Sequence, residues 1–259
     1  MRRLLLYDPR LLCERLAEIS LARRRLATLR GTVAARLSED HIDSMELLQL
    51  IRPLAPKVIY DVGANVGTWT LLAKALYPPA EVHAFEPLAV HHEGFERNTR
   101  SVEGVQLHRL ALGESAGTLP IRVTSFSDAS SLLPLSRAGE EQWHIHEVAQ
   151  EQVPVERLDA WQQQGPRPLP SIIKLDVQGF ELGVLRGAAR CLEHTSAVLA
   201  EVSFREFYEG QCLFHDVVAF LAERGFTLHA LARGTALGRP LVTADALFVA
   251  NCHRALLPR

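Results

Sequence analysis

Asp61-Val62-Gly63-Ala64-Asn65-Val66-Gly67 is the stretch whose residue types and spacing most clearly suit a ligand. Gly63 and Gly67 let a backbone turn tightly and come close to a bound molecule, and Asn tolerates a left-handed conformation better than most other residues. Glu86 follows 19 residues after Gly67, at the spacing where an acid accepts both hydroxyls of a ribose. A dinucleotide loop would want glycine at 65 and 68, where this chain has Asn65 and Thr68, so a nucleoside ligand without a pyrophosphate fits better. The opposing interpretation is a tight turn beside a solvent-facing acid.

Further along the chain, Asp176, Glu181 and Glu201 lie at or just after the ends of apolar runs. Three carboxylates near one crevice could bind Mg²⁺ through oxygen ligands; equally, Glu181 could stabilise a helix start and Glu201 a backbone hydrogen bond. Ser130 and Ser131 suit hydrogen bonds to a hydroxylated molecule, or a turn. His144 and His146 flank Ile145 with no further ligand nearby, as on a solvated edge. Cys13, Cys191, Cys212 and Cys252 form no Cys-x-x-Cys pair, which fits a reduced cytoplasmic compartment and no zinc site.

These residues need a scaffold, and the order of elements supplies one. Lys57 to Val62 is a β-branched run entering the glycine loop, and Thr68 to Ala75 continues at helical period. Glu81 to Phe85, a polar helix to about Arg100, and Val105 to Ala111 repeat the rhythm. Ile172 to Val177, a helix over Phe180 to Leu192, Ala197 to Val202 and a helix near Phe214 to Arg224 resume it. Phe226 to Leu231 and Ala246 to Ala250 close the chain as an antiparallel edge pair. The expected fold is α/β, a doubly wound and mostly parallel sheet, with a hairpin-like insertion at about 113–170.

The expected division is a helical arm over 1–45 and one catalytic domain over 46–259. Met1 to Leu37 holds nine Arg against Asp8, Glu14 and Glu18, a net of +6, which leaves −8 on the other 222 residues of a chain whose total is −2. Leu12, Leu16, Ile19, Leu26, Leu29, Val33 and Leu37 fall at helical spacing. The arm therefore suits either a helix packed on the domain with a solvated basic face, a homodimer seam, or a membrane-surface contact. No signal peptide or membrane span is expected.

Five blocks in order resemble the FkbM-type methyltransferases: the Asp61–Gly67 loop, His83-Ala84-Phe85-Glu86-Pro87, Ser130-Ser131-Leu132, Ile173-Lys174-Leu175-Asp176-Val177-Gln178-Gly179-Phe180-Glu181, and Ala200-Glu201-Val202. The likeness spans about Val58 to Asn251. It implies a class I methyltransferase fold, S-adenosylmethionine as donor, and an oxygen acceptor on a sugar, glycan or natural product. It also implies that Asp61, Gly63, Asn65 and Gly67 contact the methionine part and Glu86 the ribose. Many relatives carry Glu where this chain has Gln178, which keeps an acceptor and removes a charge. An alcohol becomes a good nucleophile as its proton leaves, so Asp176 is expected as base or acceptor anchor with Glu201 beside it. Ser130, Ser131, Gln178 and Glu181 are expected on the acceptor side.

Two other functions share the fold. A nucleic-acid methyltransferase acting on adenine would have Pro-Pro and an aromatic residue after Asp176, but Val177-Gln178-Gly179 stands there, and the acidic domain opposes phosphate binding. A cofactor-binding module without chemistry would keep the pocket alone.

Overall fold

A computed structural model describes residues 17, 20–35, 37, 41–232 and 240–257. One seven-stranded sheet organises them. Its strands are β1 (Val58–Val62), β2 (Glu81–Phe85), β3 (Val105–His108), β7 (Ile172–Leu175), β8 (Ala197–Ser203), β9 (Phe226–Leu231) and β10 (Thr243–Ala250). They lie in the order β3-β2-β1-β7-β8-β10-β9. All neighbouring pairs are parallel up to β8, and β10 runs antiparallel between β8 and β9. The order reverses at β1, whose other neighbour is β7, and this is where a doubly wound sheet opens its ligand crevice.

Strand period places successive residues on opposite faces. Tyr60, Val62, Ile173, Leu175, Val198 and Ala200 enter one core with α6 (Glu181–Arg186), α7 (Ala189–His194) and α8 (Phe214–Ala222). Ile59, Val82, Leu199, Leu247 and Val249 enter the other, with α1 (Ile42–Leu50) and α2 (Thr68–Leu76). Leu29 and Ala34 are buried in that second core, beside Met45, Leu48 and Trp69. Each such buried leucine contributes about 1.5–3 kcal/mol. Arg25 pairs with Glu46 of α1, whereas Arg23, Arg24 and Arg30 are exposed, so this part of the arm is packed on one side and solvated on the other. Leu12, Leu16 and Ile19 lie outside the described residues.

Three elements differ from the sequence expectation. The third strand stops at His108, because Leu110 N turns back to His108 O, and Ala111–Leu112 (β4) joins a second sheet. The hairpin expected in the insertion is present as β5 (Gly117–Thr124) paired antiparallel along β6 (Glu147–Glu156), and β4 extends it to a three-stranded sheet of order β4-β6-β5. Leu88, Ala111, Ile121, Val153 and Val155 give it an apolar core. The helix expected over Phe180 to Leu192 is two helices. Any β-carbon on Gly187 would lie 2.1 Å from Gly113 O, and Asp159 accepts the amides of Arg190 and Cys191, starting α7 afresh.

Candidate active site

The glycine loop leaves β1 and is held by β2. Gly63 N and Ala64 N both donate to Phe85 O at 3.0 Å. Gly63, Asn65 and Gly67 all have positive φ, at 80°, 48° and 82°. A β-carbon on Gly63 would meet Asp176 O at 1.8 Å, and one on Gly67 would meet the Phe95 ring at 2.9 Å. Here the glycines let the loop close against β7 and α3 (Ala89–Thr99) as well as turn. Glu86 is buried and accepts Asn65 N through one oxygen and Leu88 N through the other, each at 2.9 Å. Burial raises its carboxyl to about 7.

Lys174 sits where the two halves of the sheet meet. Its Nζ donates to Gly63 O at 2.9 Å and lies 3.2 Å from Asp61 Oδ1 and 3.6 Å from Asp176 Oδ2. Thr70 Oγ1 donates to the other Asp61 oxygen at 2.6 Å. Burial pulls the ammonium down, but the carboxylates of Asp61 and Asp176 more than offset it and the net shift is upward. One buried cation thus ties the first strand, the glycine loop and the seventh strand together.

On the far side of Lys174, Asp176 projects from the end of β7 with its side chain 39% exposed, open enough to meet a ligand. Gln178 Nε2 donates to Asp176 Oδ1 at 2.8 Å and to Glu201 Oε2 at 3.0 Å. The Tyr208 hydroxyl lies 3.0 Å from Gln178 Oε1 and 2.8 Å from Ala129 O. Ser131 Oγ donates to Gln178 O at 2.7 Å. Burial, then Asp176 and Asp245, hold Glu201 well above the usual carboxylate range. Glu181 is buried and accepts the amides of Val177 and Gly179, both at 3.1 Å; burial raises it to about 7.

A cleft opens between the glycine loop, the end of β7 and the insertion. Of the residues singled out in the sequence, Gly63, Asn65, Glu86, Ser130, Ser131, Asp176 and Gln178 line it. Asp61, Gly67, Glu181 and Glu201 lie behind that lining: Asp61 reaches it through Lys174, and Glu201 through Gln178. His144 and His146 are exposed. Among the described residues no group of three or more His, Cys, Asp or Glu is arranged to hold a metal ion, and the Gln178 amide occupies the space between Asp176 and Glu201. Likewise, no described helix is long and apolar enough to cross a membrane.

The sequence reading assigned no role to Lys174, Tyr208 or Asp128. A lysine inside the apolar run Ile172-Ile173-Lys174-Leu175 was a usable signal, since a charge in a strand covered on both faces needs a partner. Asp128 of the insertion accepts Asn65 Nδ2 at 3.0 Å, a contact no local pattern announces.

A reversing parallel sheet, a glycine loop at its switch point, an acid ending the second strand and an antiparallel strand inserted near the edge define a class I methyltransferase fold. Residues 61–228 match the methyltransferase FkbM domain, and the chain belongs to that family of S-adenosylmethionine-dependent methyltransferases. The chain is 30% identical over 177 residues to methyltransferase 1 of Beauveria bassiana, covering 60% of this chain and 69% of that one. It is 30% identical over 199 residues to methyltransferase sdnD of Sordaria araneosa, covering 66% and 73%. Hexuronic acid methyltransferase AglP of Haloferax volcanii is 28% identical over 149 residues, 56% of this chain and 55% of that one.

Proposed function

We propose that the protein transfers a methyl group from S-adenosylmethionine to a hydroxyl of a sugar, glycan or other natural product. The observation that carries this reading is Asp176, a carboxylate at a strand end beside the cofactor loop and open to the same cleft. The cleft fits the donor. Each Glu86 oxygen uses one lone pair on a backbone amide and keeps capacity for a ribose hydroxyl. Leu88, Leu110, Ile121 and Leu132 offer apolar surface for a base. When bound, the donor supplies a methyl group on a positively charged sulfur.

In this reading the backbone from Gly63 to Gly67, with Asp61 behind it, holds the methionine part, and Glu86 holds the ribose. Asp176 orients the acceptor hydroxyl and takes its proton as the new C–O bond forms, a contribution of about 10²–10⁴ in rate. Ser130, Ser131 and Gln178 shape the acceptor side, Glu181 holds the Val177–Gly179 turn from behind, and Glu201 supports Asp176 through Gln178. Alignment of the two reactants supplies much of the remaining acceleration. The boundary between arm and catalytic domain is read at about residue 45.

Support for a hydroxylated small molecule or glycan comes from the AglP relative, a hexuronic acid methyltransferase. The charged groups lining the cleft, Glu86, Asp128, Asp176 and the already paired Lys174, disfavour a nucleic-acid backbone. Labelled-methyl transfer tests the proposal against glucuronic acid, neutral methyl hexosides and a short oligonucleotide. Label in an alkali-stable ether of a sugar is expected. Label in the oligonucleotide alone would contradict it.

A further inference from the structure

One uncharged side chain in the cleft has a partner for each of its polar atoms. Gln178 has φ +53°, a left-handed conformation that side-chain-bearing residues rarely adopt. Both its amide hydrogens have carboxylate partners, its side-chain oxygen has the Tyr208 hydroxyl, and its carbonyl accepts Ser131 Oγ. The orientation of the amide follows from these partners, because the reverse would set an oxygen against two carboxylates.

We propose that Gln178 is a positioning residue for Asp176: its neutral amide holds the carboxyls of Asp176 and Glu201 together, and the Tyr208 hydroxyl fixes which end of that amide faces them. The inference rests on Asp176 acting as the base. Unlike a lysine bridge, the amide brings no charge of its own. Unlike a glutamate, it donates to both acids at once. The bridge is joined to the insertion as well, since the one Tyr208 hydroxyl hydrogen is shared between Gln178 Oε1 and Ala129 O, so Ala129 and Ser131 of the insertion and the base belong to one network.

The surrounding charges make the neutral bridge consequential. Glu201 is flanked by Asp176, by Asp245 directly across the β8–β10 pairing, and by Glu181 from α6, while Lys174 is the cation they face and is itself paired with Asp61. Glu201 is already held well above the usual carboxylate range by burial first and then by its acidic neighbours. A third carboxyl at 178 would add an acid where two must already share hydrogen bonds, and one of the three would have to carry a proton in order to donate.

The test is carboxyl-carbon NMR on protein labelled in Asp and Glu, with the resonances of the pair assigned from Asp176→Asn and Glu201→Gln. It needs no acceptor molecule. Gln178→Glu and Gln178→Met should each raise the titration of the Asp176/Glu201 pair by about 1 pH unit or more, through an added like charge in the first and lost donors in the second. Tyr208→Phe should move it in the same direction by less. Should Gln178→Glu fail to fold, the other two variants carry the same comparison. An unmoved titration in Gln178→Met and Tyr208→Phe overturns the positioning claim, even where Asp176→Asn abolishes turnover. Near-wild-type turnover in Asp176→Asn overturns the base assignment beneath it, even where the titration moves.

Discussion

Lys174 Nζ stands 3.2 Å from Asp61 Oδ1, a buried ion pair that joins two strands far apart in sequence at the point where the sheet reverses direction. Replacing Lys174 with Met removes the cation and leaves Asp61 as an uncompensated buried charge beside Asp176. The expected loss is about 3–5 kcal/mol in denaturant unfolding. A loss under about 1 kcal/mol would mean that packing alone holds the strand ends together.

If Glu86 holds the ribose as proposed, cofactor affinity should depend on pH. Its folded carboxyl is raised to about 7, so as pH falls through that value a proton takes up acceptor capacity that ribose hydroxyls need. The apparent Kd for S-adenosylmethionine should rise by up to about tenfold per unit below that value, measured calorimetrically. Glu86→Gln should bind about 10–100-fold more weakly and lose this dependence. A pH dependence that survives in the variant would assign it to another group.

Buried His83 and half-buried His108 meet at 3.0 Å among Tyr60, Phe85 and Trp161. Burial, then His83, lowers His108 to about 4. A lowered folded value means the unfolded chain takes up protons first, so this stability is present above about 6.5 and lost as pH falls toward 4. His108→Phe should reduce the acid-side loss by about 1–2 kcal/mol in denaturant melts near pH 5. An unchanged acid slope would remove the pair from the pH response. The raised Glu181 contributes in the opposite sense: its penalty is absent below about 4.5 and grows as pH rises toward 7.

Removing residues 1–37 should leave cofactor binding intact, because every residue of the cleft lies beyond that point. It uncovers the core around Met45, Leu48 and Trp69 that Leu29 and Ala34 help to bury. A melting temperature lower by at least about 5 °C is expected, from two or more kcal/mol of lost burial. A truncated protein that folds yet fails to bind S-adenosylmethionine would make the arm part of the site.

Periodicity and loop chemistry carried most of the fold in this sequence. Glu81–Phe85 and Phe226–Leu231 begin and end where alternating apolar residues begin and end, because a strand in a covered sheet has few other ways to bury them. The hairpin of the insertion was legible, but its third strand escaped because β4 is two residues long and pairs with β6 across more than forty positions, a tertiary decision invisible to local pattern. The broken helix escaped because Gly187 is read locally as a tolerated glycine, and only the approach of Gly113 shows why the chain must bend there. In the site, Asp176 and Glu86 were legible from strand ends. Tyr208 was not, because it reaches Gln178 from a loop thirty residues away.

Asp176→Asn keeps size and one acceptor oxygen while removing the charge that takes up the proton in the proposed mechanism. With whichever sugar accepts label, turnover should fall by about 10²–10⁴ with S-adenosylmethionine affinity little changed. A folded variant with near-wild-type turnover would remove Asp176 from the chemistry.

The measurement closest to the central claim is calorimetric titration of the purified protein with S-adenosylmethionine, its demethylated product and NAD. One site of micromolar affinity is expected for the first two, with a higher melting temperature at saturation and weaker binding in Glu86→Gln. Heat with NAD, and none with either sulfur-containing ligand, would contradict it.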